Sequence, residues 1–191
     1  EKKEEQEEKA ENTEQIAEFQ LSANDAILLD TIQKQNTNKT ILVTGAAGSI
    51  GSEIVRQLLH FNPKKIILLD QAESPLYEME MELKDSLSEI SCEIIMGDIR
   101  NVERMENVFK TLKPNIVYHA AAYKHVPMME YNPSVAVLTN VLGTKNIADL
   151  ALKYHVERFV MVSTDKAVNP TNVMGVQHIF GLNIPFNNDK R

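Results

Sequence analysis

A glycine-rich segment, TGAAGSIGSE, holds the residues whose spacing points most directly to a chemical task. An apolar β-branched run precedes Gly45, Gly48 and Gly51, and an amphipathic stretch follows them. Gly45 permits a tight turn, Gly48 lets backbone amides approach a pyrophosphate, and Gly51 lets a helix pack against the strand. The pattern therefore predicts an anion-binding site at the N-terminus of the following helix, with Ser49 and Ile50 as candidate binding residues.

An acidic residue, Asp70, ends a second apolar run about 20 positions after the glycines. An acid at this place in a dinucleotide-binding fold accepts hydrogen bonds from ribose hydroxyls and repels a 2′-phosphate. We therefore expect NAD as the cofactor, with NADP less favoured. A glycine turn that only joins a strand to a helix is the alternative.

Asp98 and Ile99 follow the third apolar run. There a carboxylate could hold an adenine amino group while the apolar side chain covers the ring. A simple capped loop, with Asp98 or Asn101 as the N-cap of the next helix, explains the same residues equally well.

The segment HAAAYKHVP follows the fourth apolar run. Ala120, Ala121 and Ala122 permit close approach of a flat cofactor, and Lys124 adds a cation at the same edge. The two histidines of the segment lack a carboxylate or cysteine to complete a ligand set, so we expect no metal site.

Asp165 and Lys166 are adjacent after the fifth apolar run. At the mouth of an α/β cleft such a pair could serve as acid and base, each shifting the pKa of the other. A surface loop with an incidental ion pair is the alternative.

The elements that must position these residues alternate along the chain. Strands are predicted at 40–44, 65–69, 92–96, 115–119 and 157–162, and helices at 50–60, 73–88, 101–112 and 132–154. Nearly continuous apolar strands separated by helices predict an α/β fold, a Rossmann-like doubly wound parallel sheet. Upstream, helical spacing returns between Ile16 and Ile32, and the polar residues 33–39 are expected to link this helix to the first strand.

Composition narrows the class of protein. The 191 residues carry a net charge of −7, whereas proteins that bind nucleic acid through its phosphates carry an excess of basic residues. The single cysteine, Cys92, lies in a predicted strand and suits a small buried residue in a reducing compartment. Since no apolar run approaches the roughly 18 residues of a membrane span, we expect a cytoplasmic protein, or one at the cytoplasmic membrane face if a membrane region lies upstream.

Six motifs together resemble the extended short-chain dehydrogenase/reductase superfamily, and within it the CapD-like polysaccharide biosynthesis proteins of the UDP-N-acetylglucosamine 4,6-dehydratase type. These motifs are TGAAGSIGSE, LLDQAESPLYE, GDIR, HAAAYKHVP, TNVLGT and STDKAVNPTNVMG. The resemblance implies a reaction in which NAD borrows a hydride from sugar C4, water leaves across C5 and C6, and the hydride returns to C6. It also implies a UDP-sugar substrate and a homo-oligomer for the intact enzyme.

The resemblance also assigns roles to individual residues. Lys166 would remove the C5 proton, Asp165 would protonate the departing C6 hydroxyl, and Thr164 would hydrogen-bond the sugar near C4. Ser163 would close the strand beside the nicotinamide, and Asn140 would steady the helix that lines the site.

Two positions depart from the superfamily pattern. Met174 stands where most members have a tyrosine, although some CapD-like members share this Met, and His178 stands where they have a lysine. The resemblance covers residues 39–175 and fades from Val176. We therefore predict a charged lead at 1–38, a dinucleotide-binding domain at 39–175 and an atypical tail at 176–191. We also expect the C-terminal substrate lobe of the related enzymes to be missing. A non-catalytic dinucleotide-binding module and a nucleotide-sugar epimerase or reductase therefore remain alternatives to a dehydratase, and whether the chain is an enzyme stays open.

Overall fold

The computed structural model describes residues 23–86, 90–121 and 123–163. The chain divides into two compact units after Gln35. Helix α1 runs over Ala23–Asn36, and all of it except Asn36 belongs to the first unit. The second unit contains a parallel sheet and the helices that cover it.

Five parallel strands form the sheet in the order β3-β2-β1-β4-β5. They are β1 (Thr40–Thr44), β2 (Lys65–Asp70), β3 (Ser91–Met96), β4 (Ile116–His119) and β5 (Arg158–Met161). The chain builds outward from β1 to β3, then returns to the other side of β1 for β4 and β5. This reversal places a topological switch point between β1 and β4, and it confirms the Rossmann-like prediction.

Side chains alternate between the two faces of the sheet, and each face has its own buried cluster. On one face, Leu42, Ile67 and Val117 pack against two helices, and on the other Ile41 and Ile66 do the same. Because both faces are covered, the strands need apolar residues at nearly every position. Burying one such side chain stabilises the fold by about 1.5–3 kcal/mol.

Helices cover both faces of the sheet. Those after α1 are α2 (Ser49–Leu59), α3 (Glu73–Ser86), α4 (Val102–Leu112), α5 (Val126–Tyr131), α6 (Pro133–Ala136), a π-helix (Val137–Gly143) and α7 (Thr144–Lys153). Helices α2 and α3 pack on one face, while α4 and α7 pack on the other. Within the described ranges, none has the length and apolar character that crossing a bilayer requires.

The structure corrects the helix predictions at two places. The predicted linker at 33–39 is wrong in its first part, because α1 continues to Asn36 and stops before Asn38, which has φ +58°. Gln33 and Lys34 are good helix formers, so the helix continues through them. The polar character of these residues reflects an exposed helix surface rather than a loop.

The helix predicted at 132–154 is confirmed as one continuous helical run from Pro133 to Lys153, with a π-helical segment in its middle. It consists of α6, a π-helical segment and α7, and α5 precedes it with no counterpart in the prediction. Pro133 separates α5 from α6, since proline cannot donate the hydrogen bond that would continue a helix. The π-helical turns then carry the chain into α7.

Backbone contacts at the glycine turn hold α2 against β1. Gly45 has φ +70°, and a Cβ there would lie 2.6 Å from Ala121 N. A Cβ on Gly51 would lie 2.0 Å from the carbonyl oxygen of Gly45. Both positions therefore exclude any side chain, because backbone atoms occupy the space.

Replacement of Gly51 with alanine tests this packing. We expect Gly51→Ala to lower the free energy of unfolding by at least about 3 kcal/mol, the upper end for overpacking, since backbone cannot move aside as a side chain can. Urea denaturation measures the change. Gly48→Ala is the matched control, because its Cβ would meet only Gly45 O at 3.3 Å. Equal unfolding midpoints for Gly51→Ala and the wild type would contradict the packing account.

Candidate functional site

A cleft of about 270 Å³ opens at the carboxyl ends of β1, β2, β3 and β4. It brings together half of the residues that the sequence nominated for cofactor binding: Gly45, Gly48, Asp70, Asp98, Ile99, Ala120 and Ala121. Ligands of open α/β sheets bind in this position, beyond the strand ends at the switch point. The cleft is therefore the candidate site.

The N-terminus of α2 opens beside the glycine turn. Its first intrahelical hydrogen bond runs from Ser52 N to Gly48 O (2.8 Å), so the amides of Ser49, Ile50 and Gly51 lie in the first turn, where a helix has no internal partner for them. Gly48 is exposed, and a Cβ there would approach only one protein atom closely. The turn thus leaves room for an anion to reach the helix amides.

Lys124 strengthens the positive character of this corner. Its Nζ donates to Ser49 Oγ at 2.5 Å, which joins the loop after β4 to the first residue of α2. An ammonium group at a helix N-terminus adds to the positive end of the helix dipole. The corner therefore favours a phosphate or pyrophosphate.

Asp70 holds two backbone segments at the end of β2. Its Oδ2 accepts from Ala47 N in the glycine turn at 3.1 Å, and its Oδ1 accepts from Ala72 N at 3.0 Å. These bonds fix the orientation of the carboxylate in the cleft wall. Each oxygen retains acceptor capacity, so the same group can also accept from a ligand hydroxyl.

Asp98 is paired with Arg100 at the end of β3. Arg100 Nε donates to the two carboxylate oxygens at 3.0 and 2.8 Å, and Arg100 Nη2 donates to Oδ2 at 2.6 Å. This guanidinium holds the pKa of the Asp98 carboxyl below its ordinary value, and partial burial opposes the shift. The helix cap is provided by Asn101, whose side chain accepts from Arg104 N, so Asp98 is not the N-cap.

A buried hydrogen-bond chain runs behind the cleft from β1 to the π-helix. Thr144 Oγ1 donates to Asn140 O at 2.7 Å, so its oxygen accepts from His119 Nε2–H at 2.9 Å. In the neutral imidazole, Nδ1 then accepts from the Thr44 hydroxyl at 2.6 Å. Both ring nitrogens of His119 are thus engaged, and the chain links the residue before Gly45 to the helix that carries Asn140.

Asn140 fixes the loop after β4. Its Oδ1 accepts from Tyr123 N at 2.9 Å, and its Nδ2 donates to Tyr123 O at 3.1 Å. The Tyr123 hydroxyl in turn accepts from Gln71 Nε2 at 3.0 Å, which connects the loops after β4 and β2. Asn140 therefore acts on the loop backbone, in addition to its place in the π-helix.

Seven residues that line the cleft were not among the nominated site residues: Ala47, Leu69, Gln71, Ala72, Gly97, Tyr123 and Thr139. The first six lie within two positions of nominated residues at strand ends, so the rule that ligands lie beyond the carboxyl ends of strands could have found them. Thr139 precedes Asn140 in the middle of a helical segment, and only the path of the helix brings it to the cleft.

Several nominated residues do not take part in the described cleft. Ser163 is exposed, two positions beyond the end of β5. Ala122, Thr164, Asp165, Lys166 and Met174 lie outside the described residues, as does His178.

Comparison with known proteins identifies sequence relatives of the chain. The sequence profile of the family described as "Polysaccharide biosynthesis protein" matches residues 41–184. The capsular polysaccharide biosynthesis protein CapD of Staphylococcus aureus is 52% identical over 158 residues, which are 81% of this chain and 26% of CapD. An inverting UDP-N-acetylglucosamine 4,6-dehydratase of Campylobacter jejuni is 37% identical over 139 residues, 72% of this chain and 40% of the dehydratase.

A solved structure shares the fold. DesIV, a dTDP-glucose 4,6-dehydratase from Streptomyces venezuelae crystallised with NAD and TYD bound, superposes with a TM-score of 0.64 at 26% sequence identity. The match covers 74% of this chain and 49% of DesIV. This chain therefore spans about half of DesIV and smaller shares of the two sequence relatives.

The Asp98–Arg100 pair generates a prediction about proton binding. In Arg100→Gln we expect the pKa of Asp98 to rise toward the ordinary value of about 3.9, because the group that stabilises the carboxylate is gone. Carbon-detected NMR titration of the Asp98 carboxyl measures the shift. Lys84→Gln, which breaks the separate exposed pair with Glu80, is the control that should leave Asp98 unchanged.

The same substitution has a defined effect on stability. Because the pKa of Asp98 is lower in the folded state than in the unfolded state, its ionised carboxylate stabilises the fold above about pH 4. This stabilisation disappears as the pH falls through the pKa of the folded state. The gap in unfolding free energy between wild type and Arg100→Gln should therefore shrink on acidification. The gap should stay under about 1 kcal/mol, since the Arg100 and Asp98 side chains are 36% and 31% exposed. A gap that widens below pH 4 would contradict this assignment.

Proposed function

The chain belongs to the polysaccharide biosynthesis protein family, and from this premise we propose that it forms the dinucleotide-binding part of a nucleotide-sugar 4,6-dehydratase. The substrate class that we propose is a UDP-N-acetylglucosamine-type sugar, which the resemblance to the Campylobacter dehydratase supports. The observation that carries the proposal is the cleft at the switch point, where the glycine turn, Asp70 and Asp98 line one wall. We assign this role to residues 39–175.

The residues of the cleft fit a nicotinamide dinucleotide. The first-turn amides of α2 and Lys124 would hold the pyrophosphate, and Gly48 leaves the approach open. Asp70 would accept from the ribose, and Asp98 and Ile99 would face the adenine. When bound, such a cofactor supplies the acceptance and return of a hydride.

We propose NAD rather than NADP on the basis of Asp70. Its carboxylate is anchored by the amides of Ala47 and Ala72, so it cannot turn away from an incoming 2′-phosphate without losing both hydrogen bonds. A fixed negative charge at this position disfavours the phosphate and suits two free ribose hydroxyls.

Affinity for the two dinucleotides tests the role of Asp70. We expect the chain to bind NAD⁺ at least about tenfold more tightly than NADP⁺, which corresponds to about 1.4 kcal/mol. Asp70→Asn should bring the two affinities closer together, because it removes the charge that repels the 2′-phosphate. Isothermal titration calorimetry gives both constants. Asp149→Asn removes an exposed charge on α7 and is the matched control. Tighter binding of NADP⁺ by the wild type would reverse the assignment.

The catalytic roles that we propose come from the resemblance of STDKAVNPTNVMG to the dehydratases. Lys166 would accept the proton at sugar C5, and Asp165 would donate a proton to the departing C6 hydroxyl. Thr164 would orient the sugar near C4. Met174 cannot exchange a proton, so oxidation at C4 would require another base or a water molecule.

Product analysis tests the proposed reaction. The intact enzyme of which this chain forms the dinucleotide-binding part, incubated with UDP-N-acetylglucosamine and NAD⁺, should form a 4-keto-6-deoxy sugar that mass spectrometry detects as the loss of water. Lys166→Ala and Asp165→Asn should each reduce turnover by about 10²–10⁴-fold, the usual contribution of a general acid or base, and leave NAD⁺ affinity unchanged. NAD⁺ binding without any product would favour the non-catalytic module, and a C4 epimer as the product would favour an epimerase.

A further inference from the structure

A hydrogen bond between two side chains joins the loops on either side of the glycine turn. Gln71 Nε2 donates to the Tyr123 hydroxyl at 3.0 Å, across 52 positions of sequence. Gln71 follows β2 and Tyr123 lies in the loop after β4, and β1 lies between these strands in the sheet. Strands separated by one neighbour are about 10 Å apart, so two long side chains are needed to meet across that distance. The bond, called the bridge below, therefore passes over the end of β1.

The bridge lies at the mouth of the cleft rather than at its floor. Gln71 and Tyr123 line the same cleft as Leu69 and Ala120. Leu69 is buried within β2, whereas Gln71 is exposed and comes one residue after that strand ends. Tyr123 comes three residues after Ala120, so its side chain also starts farther from the sheet. The bridge thus crosses the cleft on the side that faces solvent.

The backbone on each side of the bridge is fixed. Asp70 Oδ1 accepts from Ala72 N at 3.0 Å, and this bond closes the turn that carries Gln71. Asn140 bonds both the amide and the carbonyl of Tyr123, at 2.9 and 3.1 Å. Opening the bridge therefore requires only side-chain rotation, which takes picoseconds to nanoseconds in exposed residues. The bridge has two states, closed and open, on an otherwise unchanged frame.

The strength of one hydrogen bond sets the balance between these states. A typical intramolecular hydrogen bond favours the bonded state by about two- to tenfold. Since the bridge joins two protein groups, it needs no ligand and forms in the free protein as well. A ligand at the switch point lies beyond the end of β1, beneath the bridge. The ligand can enter only while the bridge is open, so the open fraction multiplies the observed association rate.

We propose that the bridge between Gln71 and Tyr123 closes the mouth of the cleft over the bound dinucleotide and slows both its entry and its release. This inference rests on the proposed function and adds control of cofactor exchange to it. In the proposed reaction the hydride taken from sugar C4 returns to C6, so the dinucleotide ends each turnover in the oxidation state in which it began. Such a cofactor need not exchange between turnovers, and a bridge that retains it leaves turnover unaffected.

Stopped-flow fluorescence of NADH with the 191-residue chain measures both rate constants. Tyr123→Phe keeps the ring and removes the hydroxyl, and Gln71→Met keeps the length and removes the amide. Each should raise the association and the dissociation rate constants by about two- to tenfold and leave the Kd within about twofold. The double variant should be no faster than either single variant, because both remove the same bond. Tyr131→Phe, at a tyrosine that is 86% exposed, is the matched control.

Four outcomes decide the matter. If the wild type binds NADH and neither single variant changes a rate constant, the inference fails and the proposed function stands. Faster dissociation with unchanged association would reveal a direct contact with the ligand and overturn the inference. A double variant in which the two effects multiply would overturn it as well, since the residues would then act independently. If the wild type binds neither NADH nor NAD⁺, the proposed function fails and this inference fails with it.

Thermal unfolding checks that the variants retain the fold. Both single variants should unfold at nearly the temperature of the wild type, because the backbone bonds of Asp70 and Asn140 remain. If Tyr123→Phe is destabilised, Gln71→Met leaves the tyrosine intact and gives the same kinetic test.

Discussion

The approach of Gly51 to the carbonyl of Gly45 sets how α2 leaves β1. With a hypothetical Cβ only 2.0 Å from that oxygen, the start of the helix lies against the turn itself. A Cβ on Gly45 would lie 2.6–2.7 Å from backbone atoms of Ala120 and Ala121, so the same turn also packs against the end of β4. One compact backbone junction therefore determines where the helix N-terminus points and how near the neighbouring strand end comes to it.

Polar side chains hold the surrounding loops to this junction. Asp70 anchors the glycine turn from the β2 side, and the chain from Thr44 through His119 and Thr144 anchors it from within the sheet. Asn140 then fixes the loop after β4. A buried polar group destabilises the fold when it lacks a hydrogen-bond partner, and its hydrogen bonds have a preferred direction. These bonds therefore fix loop positions that apolar packing alone would leave variable. Asp70 illustrates how one carboxylate can support the site and also face the ligand proposed for it.

Features that depend on local sequence patterns were predicted more accurately than features that depend on contacts between distant residues. Strands β1 to β5 were predicted within one residue, and the apolar runs of β1, β2 and β4 reflect burial on both faces of the sheet. The helix predicted at 132–154 matches the helical run Pro133–Lys153, but its π-helical turns were not predicted, because no hydrophobic period encodes them. At Asp98 the sequence left two roles open, because an aspartate suits both a helix N-cap and a ligand contact. The hydrogen bond from Arg104 N to the Asn101 side chain shows that Asn101 caps α4.

The sequence by itself determined the fold class, the glycine turn and the strand ends at which a ligand site should lie, because these depend on local spacing and on the burial of continuous apolar segments. Only the tertiary structure decided which side chains meet there. The bonds of Asp70 to Ala47, of Asn140 to Tyr123 and of Gln71 to Tyr123 join residues 17 to 52 positions apart. Thr139, whose Oγ1 makes no hydrogen bond within the described ranges, likewise reaches the cleft only through the path of the π-helical turns. Hydrogen bonds act over about 3 Å, so contacts between distant residues appear only once the chain has folded.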